Sequence, residues 1–117
     1  MGQRNIKVIL SEEVEKFLET LSDDAQEKIS YNIRRVMGGE INKELFKKLD
    51  NSDDIWEFRT LYRKIAYRLF AFWDTEQETL VITTHGIIKK TQKTPAKEIR
   101  RAEEIKKIYF HQKRKKE

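Results

Sequence analysis

The chain has 117 residues, 38% hydrophobic and 38% charged, with a formal net charge of +5. That length supports a single domain, 1–117, around one core, and the lack of cysteine excludes disulfides and thiolate zinc sites. No apolar run approaches the roughly 20 residues that cross a bilayer, and the first residues do not read as a signal peptide, so a cytoplasmic protein without a membrane partner is expected.

In residues 6–10, Ile6, Val8 and Leu10 alternate, which predicts a first strand. Ser11 is placed to cap a helix, with Glu12 and Glu13 favourably set against its positive end. Val14, Phe17, Leu18 and Leu21 then form one apolar stripe. Ser22-Asp23-Asp24 opens a second helix, whose stripe is Ile29, Ile33, Val36 and Met37. Gly38-Gly39 ends it by supplying left-handed backbone. Two amphipathic helices joined this tightly are expected to lie as a hairpin on a sheet.

Residues 42–49 read as a short helix or turn anchored by Leu45, Phe46 and Leu49, and residues 50–54 as a loop. Residues 55–61, 65–74 and 80–88 are rich in aromatic and β-branched side chains and predict an antiparallel meander, with a turn at 74–78. The middle strand is apolar on both parities: Ile65, Tyr67, Leu69 and Trp73 on one, Phe70 and Phe72 on the other. It should therefore sit in the centre of the sheet, covered on both faces. Thr94 and Pro95 predict the cap and first turn of a closing helix, with Ile99, Ala102, Ile105 and Ile108 or Tyr109 buried. Residues 111–117 read as a frayed basic tail. The resulting class is α+β.

Charge is unevenly spread. Residues 1–84 carry 13 basic and 16 acidic side chains; residues 85–117 carry 12 basic and 4 acidic. A basic C-terminal third suits a polyanion, or an acidic protein that imitates one.

No phosphate-binding glycine loop is present, and His85 and His111 lack the neighbours of a zinc site, so no metal and no cofactor is expected. What remains is a set of cations within or just beyond strands: Arg59, Arg68, Lys89, Lys90 and Lys93. Arg68 stands where a central strand would carry an apolar side chain. It needs either an anionic ligand in a cleft or an ion pair with Glu57 or another carboxylate. A two- or four-residue turn between the strands would put Arg59 and Arg68 on one face, and an odd loop would part them. The run from Ile88 to Pro95 takes a strand through a basic loop into a helix start, which is a plausible anion site.

This order of elements resembles the RelE/ParE superfamily of toxins from toxin–antitoxin systems, in particular its HigB-like branch. The similarity runs from about Ile6 to Tyr109. It rests on Ile55-Trp56-Glu57-Phe58-Arg59, on Tyr67-Arg68-Leu69-Phe70-Ala71-Phe72, and most specifically on Lys89-Lys90-Thr91-Gln92-Lys93-Thr94-Pro95 followed by Glu98-Ile99-Arg100-Arg101-Ala102.

The resemblance implies a RelE-like fold: an N-terminal strand and two-helix hairpin on a small, mainly antiparallel curved sheet with a basic concave face, and a C-terminal helix. It implies a type II toxin that cleaves messenger RNA without a metal, commonly on the ribosome, by attack of a 2′-hydroxyl on the adjacent phosphate. Catalytic roles are thereby carried to Arg68, Lys90 and Arg59, with Lys89, Lys93 and Arg59 on RNA phosphates and Trp56 a candidate for base stacking.

In RelE the strand matching Ile55-Trp56-Glu57 bears lysines, and a tyrosine follows the basic loop. Here Glu57 is acidic and no tyrosine lies between Ile88 and Ile105, which leaves Glu57, His85 or a lysine as general base. For His85, a place in the core is the favoured reading. The implied partners are a HigA-like helix-turn-helix antitoxin, messenger RNA with the ribosome, and operator DNA only through the antitoxin. Two other functions fit the same family: a ParE-type inhibitor of DNA gyrase, and an inactive nucleic-acid-binding regulator.

Overall fold

In the computed structural model, which describes residues 5–76 and 80–115, the two serines cap helices as their positions predict. Ser11 Oγ accepts from the Val14 N–H at 3.0 Å at the head of α1 (Glu12–Glu19). Ser22 Oγ accepts from the Ala25 N–H at 3.2 Å at the head of α2 (Asp23–Met37). Each satisfies a donor the helix cannot pair internally. The left-handed residue after α2 is Gly39, with φ of 101°, while Gly38 stays at −79°.

Among the described residues, five strands form one sheet in the order β1-β5-β4-β3-β2. They are β1 (Lys7–Ile9), β2 (Phe46–Lys48), β3 (Trp56–Tyr62), β4 (Ile65–Trp73) and β5 (Leu80–Lys89), and α3 (Ala96–Lys115) closes the chain. Strand β1 runs parallel to β5 and the other pairings are antiparallel. Helices α1 and α2 cover one face. Their Val14, Leu18, Ile29, Ile33 and Val36 pack with Phe58, Tyr67, Leu69 and Val81. On the other face α3 covers only part of the sheet, where Ile99, Ala102, Tyr109 and Phe110 meet Ile55, Phe70, Phe72 and Ile82. Central β4 is thus buried on both sides, as its double apolar parity requires. Both tryptophans pack against the first core. No helix among the described residues is long and apolar enough to cross a membrane.

Three expectations need correction. Residues 42–49 hold the expected turn, at 43–45, but then continue as the edge strand β2. Tertiary packing decides this: Phe46 lies between the rings of Trp56 and Phe58, with centroids at 4.7 and 4.5 Å. The first backbone acceptor of α3 is Pro95, whose carbonyl takes the N–H groups of Glu98 and Ile99, so Thr94 is not the cap. From His111 the chain remains helical to Lys115, residues 116–117 lying outside the described part. Buried Asp74 anchors this last stretch, accepting from Tyr109 Oη at 2.7 Å and Lys113 Nζ at 2.6 Å. Tyr109 is accordingly the inward residue, and Ile108 is exposed.

Strand β5 carries a bulge. Leu69 pairs with Gly86 and Ala71 with Thr83, so Thr84 and His85 together face Phe70. The extra residue reverses the parity of everything after it. Leu80 and Ile82 face α3; beyond the bulge that face is taken by His85 and Ile87, and in the same alternation by Lys89. Gly86 falls on the opposite face against α1, where an added Cβ would meet Phe17 at 2.5 Å and Leu69 at 2.7 Å. Gly86→Ala should therefore destabilise the fold by about 1–3 kcal/mol, the usual cost of overpacking. Chemical denaturation checks this: a midpoint equal to that of the parent chain would mean that α1 yields freely there.

Candidate functional site

Residues 63–64 make a two-residue turn in which Arg63 and Lys64 both have positive φ, 50° and 68°. Such a turn matches the twist of the strands and fixes their register, here Tyr62 against Ile65. Arg59 and Arg68 consequently stand directly opposite each other on the face shared with α3. Two residues back along β3, Glu57 is on the same face, and Lys47 of β2 is its direct partner. The bulge in β5 brings Lys89 there from the other side.

The anion between the two guanidiniums is Glu57. Its Oε1 lies 3.2 Å from Arg68 Nε and 3.5 Å from Arg59 Nε, and its Oε2 accepts from Thr94 Oγ1 at 3.2 Å. The Glu57 and Arg68 side chains are 2% and 8% exposed, so this is a buried charge cluster, with Arg59 at 28% on its open side. Proximity does not amount to full satisfaction. The Nε–H bonds of both arginines are buried and do not point at an acceptor. The other arms are anchored, Arg68 Nη1 donating to the Tyr67 carbonyl at 3.0 Å and Arg59 Nη1 to the Lys43 carbonyl at 2.9 Å. Burial pulls the Arg68 guanidinium below its ordinary pKa, with Glu57 opposing. Burial likewise pushes the Lys89 ammonium down, and the charge of Arg68 adds to the effect. Three cations thus face one carboxylate.

A cleft of about 320 Å³ opens beside this cluster, lined by Lys47, Glu57, Arg59, Lys89, Lys93 and Thr94 among others. It can hold an oxyanion against several donors with a carboxylate within the same space. Among the described residues, no group of three or more histidine, cysteine or acidic side chains could hold a metal ion.

The sequence-predicted residues divide accordingly. Arg59, Arg68, Glu57, Lys89 and Lys93 come together. Lys90 does not: it is exposed and lies outside the residues that line the cleft. His85 is fully buried, its Nε2 3.0 Å from Glu98 Oε1, its Nδ1 3.0 Å from Thr84 Oγ1, and its ring stacked on Phe70. Burial holds the imidazole below its ordinary pKa against the pull of Glu98. It ties the bulge to α3 and is closed to a substrate. Its carboxylate partner is thirteen residues away in sequence, which spacing did not reveal. Trp56 alternates with Glu57 and turns to the other face, against Phe46 and Trp73, away from the cations. Sequence reasoning misses Lys47, because nothing within residues 42–49 marks a strand, and misses the hydroxyl of Thr94 on Glu57.

Comparison with known proteins yields a family and a set of shapes. The family described as Phage derived protein Gp49-like (DUF891) matches residues 16–107. None of the curated proteins matches the chain. Among solved structures, isolated E. coli RelE toxin is similar with 17% identity over 88% of this chain and 98% of its own, at a TM-score of 0.54. A double arginine-to-alanine mutant of E. coli RelE in the free state has 17% identity over 70% and 81%, also at 0.54. An archaeal RelE–RelB complex from Pyrococcus horikoshii OT3 has 15% identity over 72% and 94%, at 0.50. At such identities the likeness is one of fold, and the fold is RelE-like.

Proposed function

The chain belongs to the phage-derived Gp49-like family, and from that premise we propose that it is the toxin of a toxin–antitoxin pair, a metal-independent endoribonuclease acting on messenger RNA. The observation that carries this reading is the convergence of Arg59, Arg68 and Lys89 around the Glu57 carboxylate, beside an open cleft that Glu57, Arg59 and Lys89 line. In-line attack by a ribose hydroxyl needs those parts: a proton acceptor, cations around a crowded phosphorane, and a donor for the leaving oxygen.

In this mechanism Glu57 takes the 2′-hydroxyl proton as the 2′-oxygen bonds to phosphorus. Arg59 and Arg68 stabilise the added negative charge with their guanidiniums. The bond from phosphorus to the 5′-oxygen breaks, and Lys89 supplies that oxygen with a proton. The products are a 2′,3′-cyclic phosphate and a 5′-hydroxyl, and water later returns the proton from Glu57 to Lys89. Lys47 and Lys93 hold flanking phosphates.

The HigB-like motif from Lys89 to Ala102 supports that branch, and with it ribosome-bound messenger as substrate, in the cytoplasm. The similar archaeal structure was solved with RelB, which supports an antitoxin as partner of this chain. Its HigA-like, helix-turn-helix character follows from the branch.

Mapping transcript ends on translating ribosomes tests the proposal. New ends with 5′-hydroxyls support it. DNA damage with intact messenger would replace it by the gyrase reading, and binding without cuts by the regulator.

The two adjacent lysines should separate sharply. Lys89→Arg keeps the charge but removes the dischargeable proton. Cleavage should fall by about 10²-fold or more. Because the ammonium of Lys89 is held below the usual lysine pKa, the parent enzyme should lose activity with rising pH before an ordinary lysine would titrate. That alkaline limb should vanish in Lys89→Arg. Lys90→Ala should retain most of the rate. A pH–rate profile on a synthetic RNA decides it, and equal losses at both positions would remove the distinction.

A further inference from the structure

Beyond the cation cluster, toward the β3–β4 turn, the same face of the sheet carries an apolar surface that the fold does not use. Leu61 and Ala66 are direct partners one step past the Arg59–Arg68 pair. Leu61 is 68% exposed, the most open of the large hydrophobic residues on the described surface. Together with Glu44, Leu45, Thr60 and the two arginines they line a second cleft, which shares Arg59 with the first.

Its rim is fixed by the site itself. The Arg59 guanidinium donates to the Lys43 carbonyl, and the Arg59 N–H donates to the Leu45 carbonyl at 2.8 Å. The Glu44 N–H is held by Asn42 Oδ1 at 2.9 Å. The 43–45 turn, with the Glu44 carboxylate on it, is therefore pinned beside the arginine pair. The tight turn at Arg63 and Lys64 holds the other end of the shelf in register.

We propose that Leu61 and Ala66 form the seat of a nucleobase, that of a nucleotide whose phosphate lies on Arg59 and Arg68, and that Glu44 reads its edge. This rests on the reading of the chain as a ribonuclease. The spacing fits: residues two apart on one strand face are about 7 Å apart, the reach from a phosphate to the base of its own nucleotide. The shape fits as well, since a large side chain opposite a small one leaves a flat apolar ledge, which takes the face of a base without discriminating among bases. Discrimination falls to Glu44. A carboxylate accepts only, so it favours bases that present an amino group, namely cytosine, adenine and guanine, over uracil.

The experiment has two arms. In the first, cleavage sites of the parent chain, Leu61→Ser and Glu44→Gln are compared on a randomised RNA. Leu61→Ser, at an exposed position, should lower kcat/KM by about tenfold and flatten the base preference at one position beside the cut. Glu44→Gln should admit uracil there. Cuts by both variants with the parent's preference would overturn the base seat and leave the ribonuclease reading intact. In the second arm, Leu61 methyl signals are followed by NMR as cytidine 3′-phosphate, uridine 3′-phosphate or inorganic phosphate is added. Shifts with cytidine 3′-phosphate, weaker ones with uridine 3′-phosphate and none with phosphate support the seat, even should the parent chain prove unable to cut. Equal shifts with inorganic phosphate would overturn it, as would a shelf that responds to an antitoxin peptide and to neither nucleotide.

Discussion

Glu57→Gln should bind RNA more tightly than the parent chain and yet cleave it 10²- to 10⁴-fold more slowly. The two effects have one origin. The carboxylate sits 3.2 and 3.5 Å from the arginines a phosphate would use, so it competes with the substrate for them while serving as proton acceptor. The amide keeps the shape and leaves Thr94 an oxygen to donate to, but has neither charge nor basicity. Binding is measured with an RNA carrying a 2′-deoxy group at the scissile position, so that no turnover intervenes. A variant that loses binding and cleavage together would show that Glu57 only organises the arginines, and the base would have to be sought elsewhere.

The second large effect is at Arg68. Arg68→Ala should reduce cleavage by about 10²- to 10³-fold, the loss expected when one donor to a developing oxyanion is removed. It should also destabilise the protein by about 1–3 kcal/mol, because the buried Glu57 carboxylate loses its nearer partner and keeps only the partly exposed Arg59 beside it. For a chain of this size that is a drop of several degrees or more in Tm. Two further variants keep chemistry and folding apart. Arg68→Lys retains a positive charge for Glu57 but loses the planar fork, so it should fold and still cleave poorly. Glu57→Gln/Arg68→Ala removes the under-compensated carboxylate and should be more stable than Arg68→Ala alone. Thermal melts and cleavage assays below the transition settle both, and a fully active Arg68→Lys would reduce the guanidinium to a counter-ion.

Most of the fold was legible because its signals are local. Ser11 and Ser22 precede apolar stripes of helical period, and they cap helices. Apolar residues on both parities of β4 put it in the centre of the sheet. What failed depended on contacts distant in sequence. Phe46 belongs to a strand because Trp56 and Phe58 flank it, and no propensity within residues 42–49 says so. Thr94 looks like a cap and spends its hydroxyl on a residue 37 positions earlier.

The site was half legible for the same reason. That Arg59 and Arg68 could share a face followed from counting turn residues, and the two-residue turn supplies that parity. The sequence allows either a ligand or a carboxylate between them, and Glu57 occupies the place while the cleft stays open on the side of Arg59. Alternation within β3 then excludes Trp56 from the cleft, because the neighbour of an inward Glu57 must point the other way.

The bulge at Thr84 and His85 bears on how chains of this shape are to be compared. A strand has a two-beat rhythm, and one extra residue shifts the beat, so whichever lysine of a doublet falls on the inward beat is chosen upstream of the doublet itself. A relative lacking the extra residue would turn its second lysine inward under an identical basic run. Functional lysines in such proteins are better matched by their count from the glycine that nests under Phe17 than by their rank among neighbouring lysines.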